Sequence, residues 1–504
     1  MSPAPRTLDL TEVNSSWGKH VLSGNRLVQD SRKITAGDIF IAIGSTGTSG
    51  HQFAAAALGL GATSVVVDQQ YFAETVEAVS RAGFSPDAVI DIPALFVNLP
   101  VIADAFWGSP SAKLTVVGVT GTNGKTSVVQ LICQAWHLLG LRSASIGTLG
   151  VGVYGEVLTS TGLTTPPVTV VHEMLADFVA AGVTHVGIEV SSHALEQNRV
   201  GAVSFDQVAF TNITRDHLDF HGTMESYAAA KERIFNLSGS PTAVVNLDDE
   251  FGTSLAQKYS PSRNVVGVTS LGNPSSNLTA STVELSAAGL SFDLSLRDNT
   301  EHVTSSLVGR FNVDNLLITA GVLSAEGISA DSIGSVISEL KPVFGRMNRI
   351  QPTPDSPLVI VDYAHTPDAL KQALEALQDY NFSRIITVFG CTGERDAGKR
   401  PEMASIAEER SALVIVTDDD VHHEDGDKIV DDIRVGFSRP SDVIELRDRG
   451  QALRYAISEA TTGDVVFIAG KGHEEYLVIG DELVPFSDTD EALKLLQLKA
   501  DNSL

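Results

Sequence analysis

The sequence predicts an α/β protein of three successive domains: an N-terminal α/β domain, a central parallel-sheet domain with a phosphate loop, and a Rossmann-like C-terminal α/β domain. Three observations lead there. The chain has 504 residues, and at roughly 100–200 residues per domain that is about three domains. Short apolar runs alternate with helix-like stretches, the pattern of sheets covered by helices. One run opens into a glycine-rich loop followed by a helical stretch, the order that phosphate binding requires.

The first block, 1–110, holds the strand-like runs Asp38–Ile43 and Thr63–Val67 and closes at a Gly-Ser-Pro-Ser break, 108–111. The second, 111–342, opens on the strand Leu114–Gly118. The third, 343–504, contains four apolar runs, Leu358–Val361, Ile385–Phe389, Leu413–Val416 and Val465–Ala469, each ending in a polar, Gly-rich or acidic segment. In parallel sheets ligands bind outside the carboxyl ends of the strands, so four such endings predict a site on that edge.

Composition narrows the function. Acidic residues outnumber basic ones 62 to 35, a net charge of −27, and such a field repels nucleic acid and anionic lipid. It still permits phosphate ligands, which backbone N–H groups at a helix start can hold locally. Two cysteines, Cys133 and Cys391, cannot make a disulfide framework, so a reducing compartment is expected. The N-terminal segment lacks an apolar signal region, and no uninterrupted apolar stretch is long enough to span a membrane. The expectation is a cytoplasmic monomer without nucleic-acid or membrane partners.

The strongest local signal is Gly118-Val-Thr-Gly-Thr-Asn-Gly-Lys-Thr126. Gly121 and Gly124 let the backbone turn its N–H groups toward phosphate oxygens, Lys125 can meet the β- and γ-phosphates, and Thr126 can ligate Mg²⁺. The strict phosphate-loop motif needs glycine where this chain has Val119, so the loop is a variant. Further on, Val186–Val190 carries one acid, Glu189, which is costly to bury unless paired or on a metal. The alternative is an edge-strand glutamate facing water. His217 and His221 have the i, i+4 spacing of a zinc pair, but no third ligand of the usual kind accompanies them. Lys231 lies in a helix-like run where a solvated surface lysine is the ordinary reading.

Gly-Thr-Asn-Gly-Lys-Thr, Glu189-Val-Ser-Ser-His193 and Asp216-His-Leu-Asp-Phe-His221 resemble the motifs of the Mur ligases, ATP-dependent ligases of peptidoglycan precursors. Folylpolyglutamate synthetases are similar at the loop. The resemblance implies that Gly121 to Ser127, through Thr122, Asn123, Gly124, Lys125 and Thr126, bind ATP with Asn312, Asn315 and Arg346. It implies Mg²⁺ on Thr126, Glu189 and His217, a carbamylated Lys231, and catalytic roles for Lys125, Glu189, His217 and Lys231. The first block resembles the tripeptide-synthetase branch of the family. By that likeness Ser31, Thr46, Gly47 and Thr48 meet the uridine end of UDP-N-acetylmuramoyl-L-alanyl-D-glutamate, and Thr164, Thr165, Ser191, Gln197 and Arg199 its peptide end. The third block adds Gly345-Arg-Met347, Asp362-Tyr-Ala-His-Thr-Pro367, Gly390 to Pro401 and Gly470-Lys-Gly-His-Glu474, in the family's order.

One departure bears on the substrate. Members that add meso-diaminopimelate carry Asp-Asn-Pro-Arg where this chain has Asp419-Asp420-Val421-His422. The bidentate cation is missing and Asp420 adds negative charge, so an ammonium-ended substrate, L-lysine or L-ornithine, is expected over meso-diaminopimelate. Arg395, Gly470 and Glu474 would then hold the carboxylate and amine common to these amino acids.

Overall fold

The computed structural model describes residues 5–501, apart from 18, 45–46, 238–241, 287–288, 298, 354, 379 and 381. Among the described residues, three large sheets follow one another along the chain, with two two-stranded ribbons beside them. The first is four parallel strands in sequence order: β1 (Leu27–Val28), β2 (Ile39–Ile41), β3 (Ser64–Asp68) and β4 (Val89–Ile92). β2 and most of β3 are buried on both faces, as parallel strands are. Helix α1 (Leu95–Trp107) covers one face and stops at Gly108, φ 74°, a left-handed cap that glycine adopts without penalty.

The central sheet has ten strands. Its parallel heart is β5 (Thr115–Thr120), β6 (Ser143–Gly147), β8 (His185–Glu189), β9 (Gln207–Phe210), β10 (Thr242–Asn246) and β11 (Asn264–Thr269). β7 (Gly150–Val153) closes one edge antiparallel. At the other edge come β12 (Leu278–Ser286), β13 (Gly289–Leu296) and β14 (Asn299–Ser305), an antiparallel meander. The spatial order is β14-β13-β12-β11-β10-β9-β5-β8-β6-β7. One face is covered by α2 (Lys125–Leu138) and α5 (Phe311–Ala325) around Val129, Ile132 and Leu316, and the other by α3 (Val168–Ala180) around Val171 and Leu175. α4 (Met224–Glu232) lies near the functional edge, and α6 (Ala330–Glu339) packs on β14.

The last sheet has six strands, β15 (Asn348–Ile350), β16 (Leu358–Asp362), β17 (Ile385–Phe389), β18 (Leu413–Val416), β19 (Ile444–Glu445) and β20 (Val465–Ala469), in the order β15-β16-β20-β17-β18-β19. The four sequence-predicted runs are thus four parallel neighbours in its centre. α7 (Pro367–Gln378) and α8 (Lys399–Arg410) cover one face; α9 (Arg449–Glu459) and α10 (Asp488–Ala500) cover the other. A hairpin, β21 (Tyr476–Ile479) and β22 (Glu482–Pro485), follows. Among the described residues no helix is long and apolar enough to cross a membrane.

Candidate active site

The phosphate loop joins β5 to α2, and two of its glycines are required by geometry. Gly121 has φ 151°, and a Cβ there would stand 1.8 Å from Thr211 Oγ1; Gly124 has φ 86°, with a Cβ 2.6 Å from Asn315 Oδ1. Val119, where the strict motif has glycine, is a fully buried strand residue. Lys125 Nζ donates to the Gly121 and Thr122 carbonyls, at 2.9 and 2.8 Å, so the loop's own backbone holds the ammonium in place. Burial lowers its pKa, while Glu189 and Asp216 oppose the shift. Asn123 donates its N–H to Asn212 Oδ1 at 2.9 Å and its Nδ2 to Asp368 Oδ2 at 2.8 Å. Asn312 and Asn315 are buried and bonded to each other at 2.9 Å. Ser127 lies beside Asn312 and Arg346.

Glu189 is the hub. It ends β8, an interior strand between β5 and β6, and is fully buried; the water-facing alternative is excluded. Its carboxylate accepts Thr126 Oγ1 at 2.8 Å, the Thr148 N–H at 2.9 Å and Thr148 Oγ1 at 3.0 Å. Its carbonyl accepts Thr165 Oγ1 at 2.6 Å. Thr164 meets Thr148 at 3.1 Å. Thr165 Oγ1 also receives the Ser191 N–H at 3.2 Å, and the Thr165 carbonyl takes Arg199 at 2.6 Å. Gln197 Oε1 accepts from the same guanidinium at 2.9 Å. The residues expected at the peptide end therefore form one cluster that shares Glu189 with the phosphate loop. Thr148, which ties the two together, carried no motif and was invisible in the sequence.

His217 has φ 52° and its ring faces Asp216 at 3.2 Å. Burial pushes its pKa down to about 3 despite that carboxylate, so the imidazole is neutral and has a lone pair to give. His193 and His221 gather near it, His193 4.8 Å away ring to ring. Among the described residues no group of three or more His, Cys, Asp or Glu side chains could hold a metal unaided. Mg²⁺ keeps waters and phosphate oxygens and asks for only one or two carboxylates; Thr126 and Glu189, already in contact, fit such a role. Lys231 is not a surface lysine. It is 1% exposed, donates to the Gly121 carbonyl at 2.6 Å, and lies 4.4 Å over the Tyr227 ring. Burial, with Lys125 nearby, holds its pKa well below the usual lysine range.

The C-terminal sheet brings its strand ends to the same place. Arg346 donates to Thr126 Oγ1 at 3.0 Å and stacks over Tyr363. Asp362 at the end of β16 accepts the Met347 N–H at 2.6 Å. Gly470 follows β20 with φ 115°, and a Cβ there would stand 2.8 Å from Asp419 Oδ2.

The open anionic pocket expected at Asp419 and Asp420 is not what the fold builds. Lys471 is fully buried and donates to Asp420 Oδ1 and Glu474 Oε2, both at 2.8 Å, with Asp419 at 3.7 Å. Asp420 also receives the Val478 N–H at 2.9 Å. Buried carboxylates are costly unless paired, and Lys471 pairs them. Val421 lies on the same loop, and His422, φ 50°, is tied to the hairpin by hydrogen bonds with Val478 and Gly480. Arg395 is exposed, on a loop whose Gly393 packs on Val421. The uridine-end residues Ser31, Gly47 and Thr48 follow the carboxyl ends of β1 and β2; Thr46 lies outside the described residues.

Comparison with known proteins agrees with this geometry. A family model described as "Mur ligase middle domain" matches residues 119–323, and one described as "Mur ligase, glutamate ligase domain" matches 345–472. The chain is 48% identical over 477 residues, 94% of each chain, to a UDP-N-acetylmuramoyl-L-alanyl-D-glutamate--2,6-diaminopimelate ligase of Xylella fastidiosa (strain 9a5c). Its namesake from Xanthomonas campestris pv. campestris (strain 8004) is also 48% identical, over 93% of each chain. A solved structure of a ligase with that name superposes with a TM-score of 0.68 at 30% identity, covering 98% of this chain and 99% of the other. These names lend no support to L-lysine as the added amino acid. Identity near one half along almost the whole length, with both family models in order, places the chain in the Mur ligase family of ATP-dependent, amide-bond-forming ligases.

Proposed function

We propose that the chain joins 2,6-diaminopimelate to the D-glutamate of UDP-N-acetylmuramoyl-L-alanyl-D-glutamate, using ATP. One observation carries the reading: Glu189 is shared by the phosphate loop and by the Thr164, Thr165 and Arg199 cluster. A phosphoryl donor on the loop and a carboxylate in the cluster would be neighbours. The γ-carboxylate of D-glutamate attacks the γ-phosphorus, giving an acyl phosphate and ADP. The incoming amine then attacks the acyl carbon, and the tetrahedral adduct expels phosphate.

Lys125, held over the loop, offsets the charge of the transferring phosphoryl group. Thr126, Glu189 and His217 would hold Mg²⁺, which supplies charge neutralisation at the phosphates when bound. Lys231 is buried, and burial holds its amine well below the usual lysine range, toward the unprotonated form that adds CO₂, which supports its carbamylation. Ser31, Thr46, Gly47 and Thr48 serve the uridine end, and Asn312, Asn315 and Arg346 the nucleotide. Glu474 and Asp419 meet the amine of the amino acid beside Gly470. Arg395, exposed on the loop that follows β17, would meet a carboxylate of the substrate. Residues 1–110, 111–342 and 343–504 form the three working units.

The test is phosphate release with ATP, Mg²⁺ and the UDP-dipeptide, adding meso-diaminopimelate, L-lysine or L-ornithine in turn. Turnover with meso-diaminopimelate, lost in Lys125→Ala, is expected. Turnover confined to L-lysine or L-ornithine would overturn the choice of amino acid and leave the ligase chemistry standing.

A further inference from the structure

Helix α3 packs in two directions. Val171 and Leu175 face the central sheet, while Val168 enters the core of the first domain with Leu95, Leu99 and Phe106 of α1. His172 lies one turn after Val168, and Thr169 beside it, on that same side of the helix; both are fully buried. Thr169 Oγ1 donates to Gln29 Oε1 at 3.3 Å, and Gln29 Nε2 donates to the Ile43 carbonyl at 3.2 Å. Ile43 pairs with Ser49 across the neck of the loop that carries Gly47 and Thr48, and Gln29 stands just before Ser31 in the chain. One side of α3 is therefore bonded to the segments assigned to the uridine end.

His172 continues this line toward the peptide end. Its Nε2 lies 3.0 Å from the Gly201 carbonyl; a carbonyl only accepts, so this nitrogen carries the hydrogen. Gly201 is buried, and a Cβ there would stand 2.7 Å from Pro100 Cγ of α1 and 2.4 Å from Asn198 Oδ1. The backbone of the 197–201 turn is thus clasped between α3 and α1. That turn carries Gln197 and Arg199 and aims the Arg199 guanidinium at the Thr165 carbonyl, just ahead of the start of α3. On its other side the ring turns Nδ1 to Asp104 Oδ1 of α1 at 3.5 Å, too long for a hydrogen bond. The bond that the ring makes is the one to the Arg199 turn.

We propose that His172 is a positioning residue for the ligation: with Thr169 and Gln29 it forms a relay along α3 that holds the Arg199 turn in register with the uridine-end loops, so that both ends of the UDP-dipeptide are seated together. This rests on the substrate reading given above. The test measures kcat/KM for the UDP-dipeptide and KM for ATP in the full-length enzyme. Glutamine places an amide N–H where the imidazole has Nε2, whereas asparagine places it near Nδ1. His172→Asn should lower kcat/KM for the UDP-dipeptide about tenfold or more, the worth of a buried carbonyl left unmet, with KM for ATP within about twofold. His172→Gln should stay within about threefold of wild type. Gln29→Ala, made at a half-buried side chain, tests the far end of the relay with the ring intact and should lower the same constant, whether or not the asparagine variant folds. Because the links act in series, the double variant Gln29→Ala/His172→Asn should fall no more than about twofold below the worse single one. Losses that multiply in the double variant overturn the relay. Asparagine equal to or better than glutamine overturns the role of the Gly201 bond, and equal losses toward ATP reduce His172 to general support of the fold. Wild type inactive with the UDP-dipeptide would instead refute the substrate reading, a distinguishable failure.

Discussion

Lys471 shows how one side chain can reverse a local reading. Its neighbours Asp419 and Asp420 look in the sequence like free negative charge waiting for an ammonium. In the fold the lysine lies between them and Glu474, and its pKa is raised because those three carboxylates outweigh its burial. Glu474 in turn is pushed up by burial, with Lys471 opposing. Replacing Lys471 by Met should leave three uncompensated acids under the amino-acid site. We expect KM for the amino acid to rise roughly tenfold, the worth of a lost charged hydrogen bond, with KM for ATP within twofold. Steady-state kinetics in each substrate would show it; parallel rises in both constants would mean the lysine only props up the domain.

At the scale of elements, two buried polar contacts tie helices to their neighbours. Arg449 of α9 and Asp488 of α10 meet in a two-pronged pair, both side chains fully buried. Removing one partner strands the other charge, so Asp488→Ala should cost about 3–5 kcal/mol in urea unfolding; a cost below 1 kcal/mol would show that water reaches the arginine. The second contact gathers α2, β9 and α5. Glu326, just past the end of α5, accepts the Trp136 indole N–H at 3.0 Å and the Gln207 amide at 3.3 Å. Burial pushes its carboxyl from 4.5 up to about 7, the indole opposing and Asp206 adding to the shift. The unfolded chain therefore releases this proton first. The contribution of Glu326 to stability is intact below pH 4.5 and declines as pH rises through about 7, by up to about 3 kcal/mol. Burial lowers the pKa of His185, whose ring lies 5.0 Å from Trp136, with Asp206 opposing. Glu326→Gln keeps an acceptor for the indole and should flatten the slope, so that the variant gains on wild type between pH 5 and 8 in thermal melts. Melting curves that stay parallel across that range would remove Glu326 as the cause.

Across the whole molecule, the central and C-terminal domains meet over the nucleotide loop through unequal contacts. Arg346 to Thr126 and Asn123 to Asp368 are part-buried hydrogen bonds at the loop itself. Arg215 to Glu402 is an exposed ion pair, with side chains 52% and 44% accessible, and such pairs contribute little. Arg346→Ala should raise KM for ATP about tenfold or more, whereas Arg215→Ala should leave it within twofold at moderate salt. Equal effects would mean that general charge steering, rather than the contact at Thr126, joins the domains.

Much was legible from residues alone. The alternation of apolar runs, the Gly-Thr-Asn-Gly-Lys-Thr loop and the four strand endings of the third block rest on local periodicity and turn chemistry, which sequence carries directly. The need for glycine at Gly124 was legible as turn chemistry; that Asn315 Oδ1 stands against it, leaving no room for a side chain, came from the fold. What the tertiary structure alone decided concerns which charges face each other. Glu189 could have been an edge residue, Lys231 a solvated one and Asp420 a free anion; burial and long-range pairing made them a hub, a buried amine with a lowered pKa and part of a buried ion-pair cluster. Thr148 and Lys471 joined the site through contacts 41 and 51 residues away in the chain. No local pattern encodes such separations, because the energy that sets them comes from desolvation after the sheets have assembled.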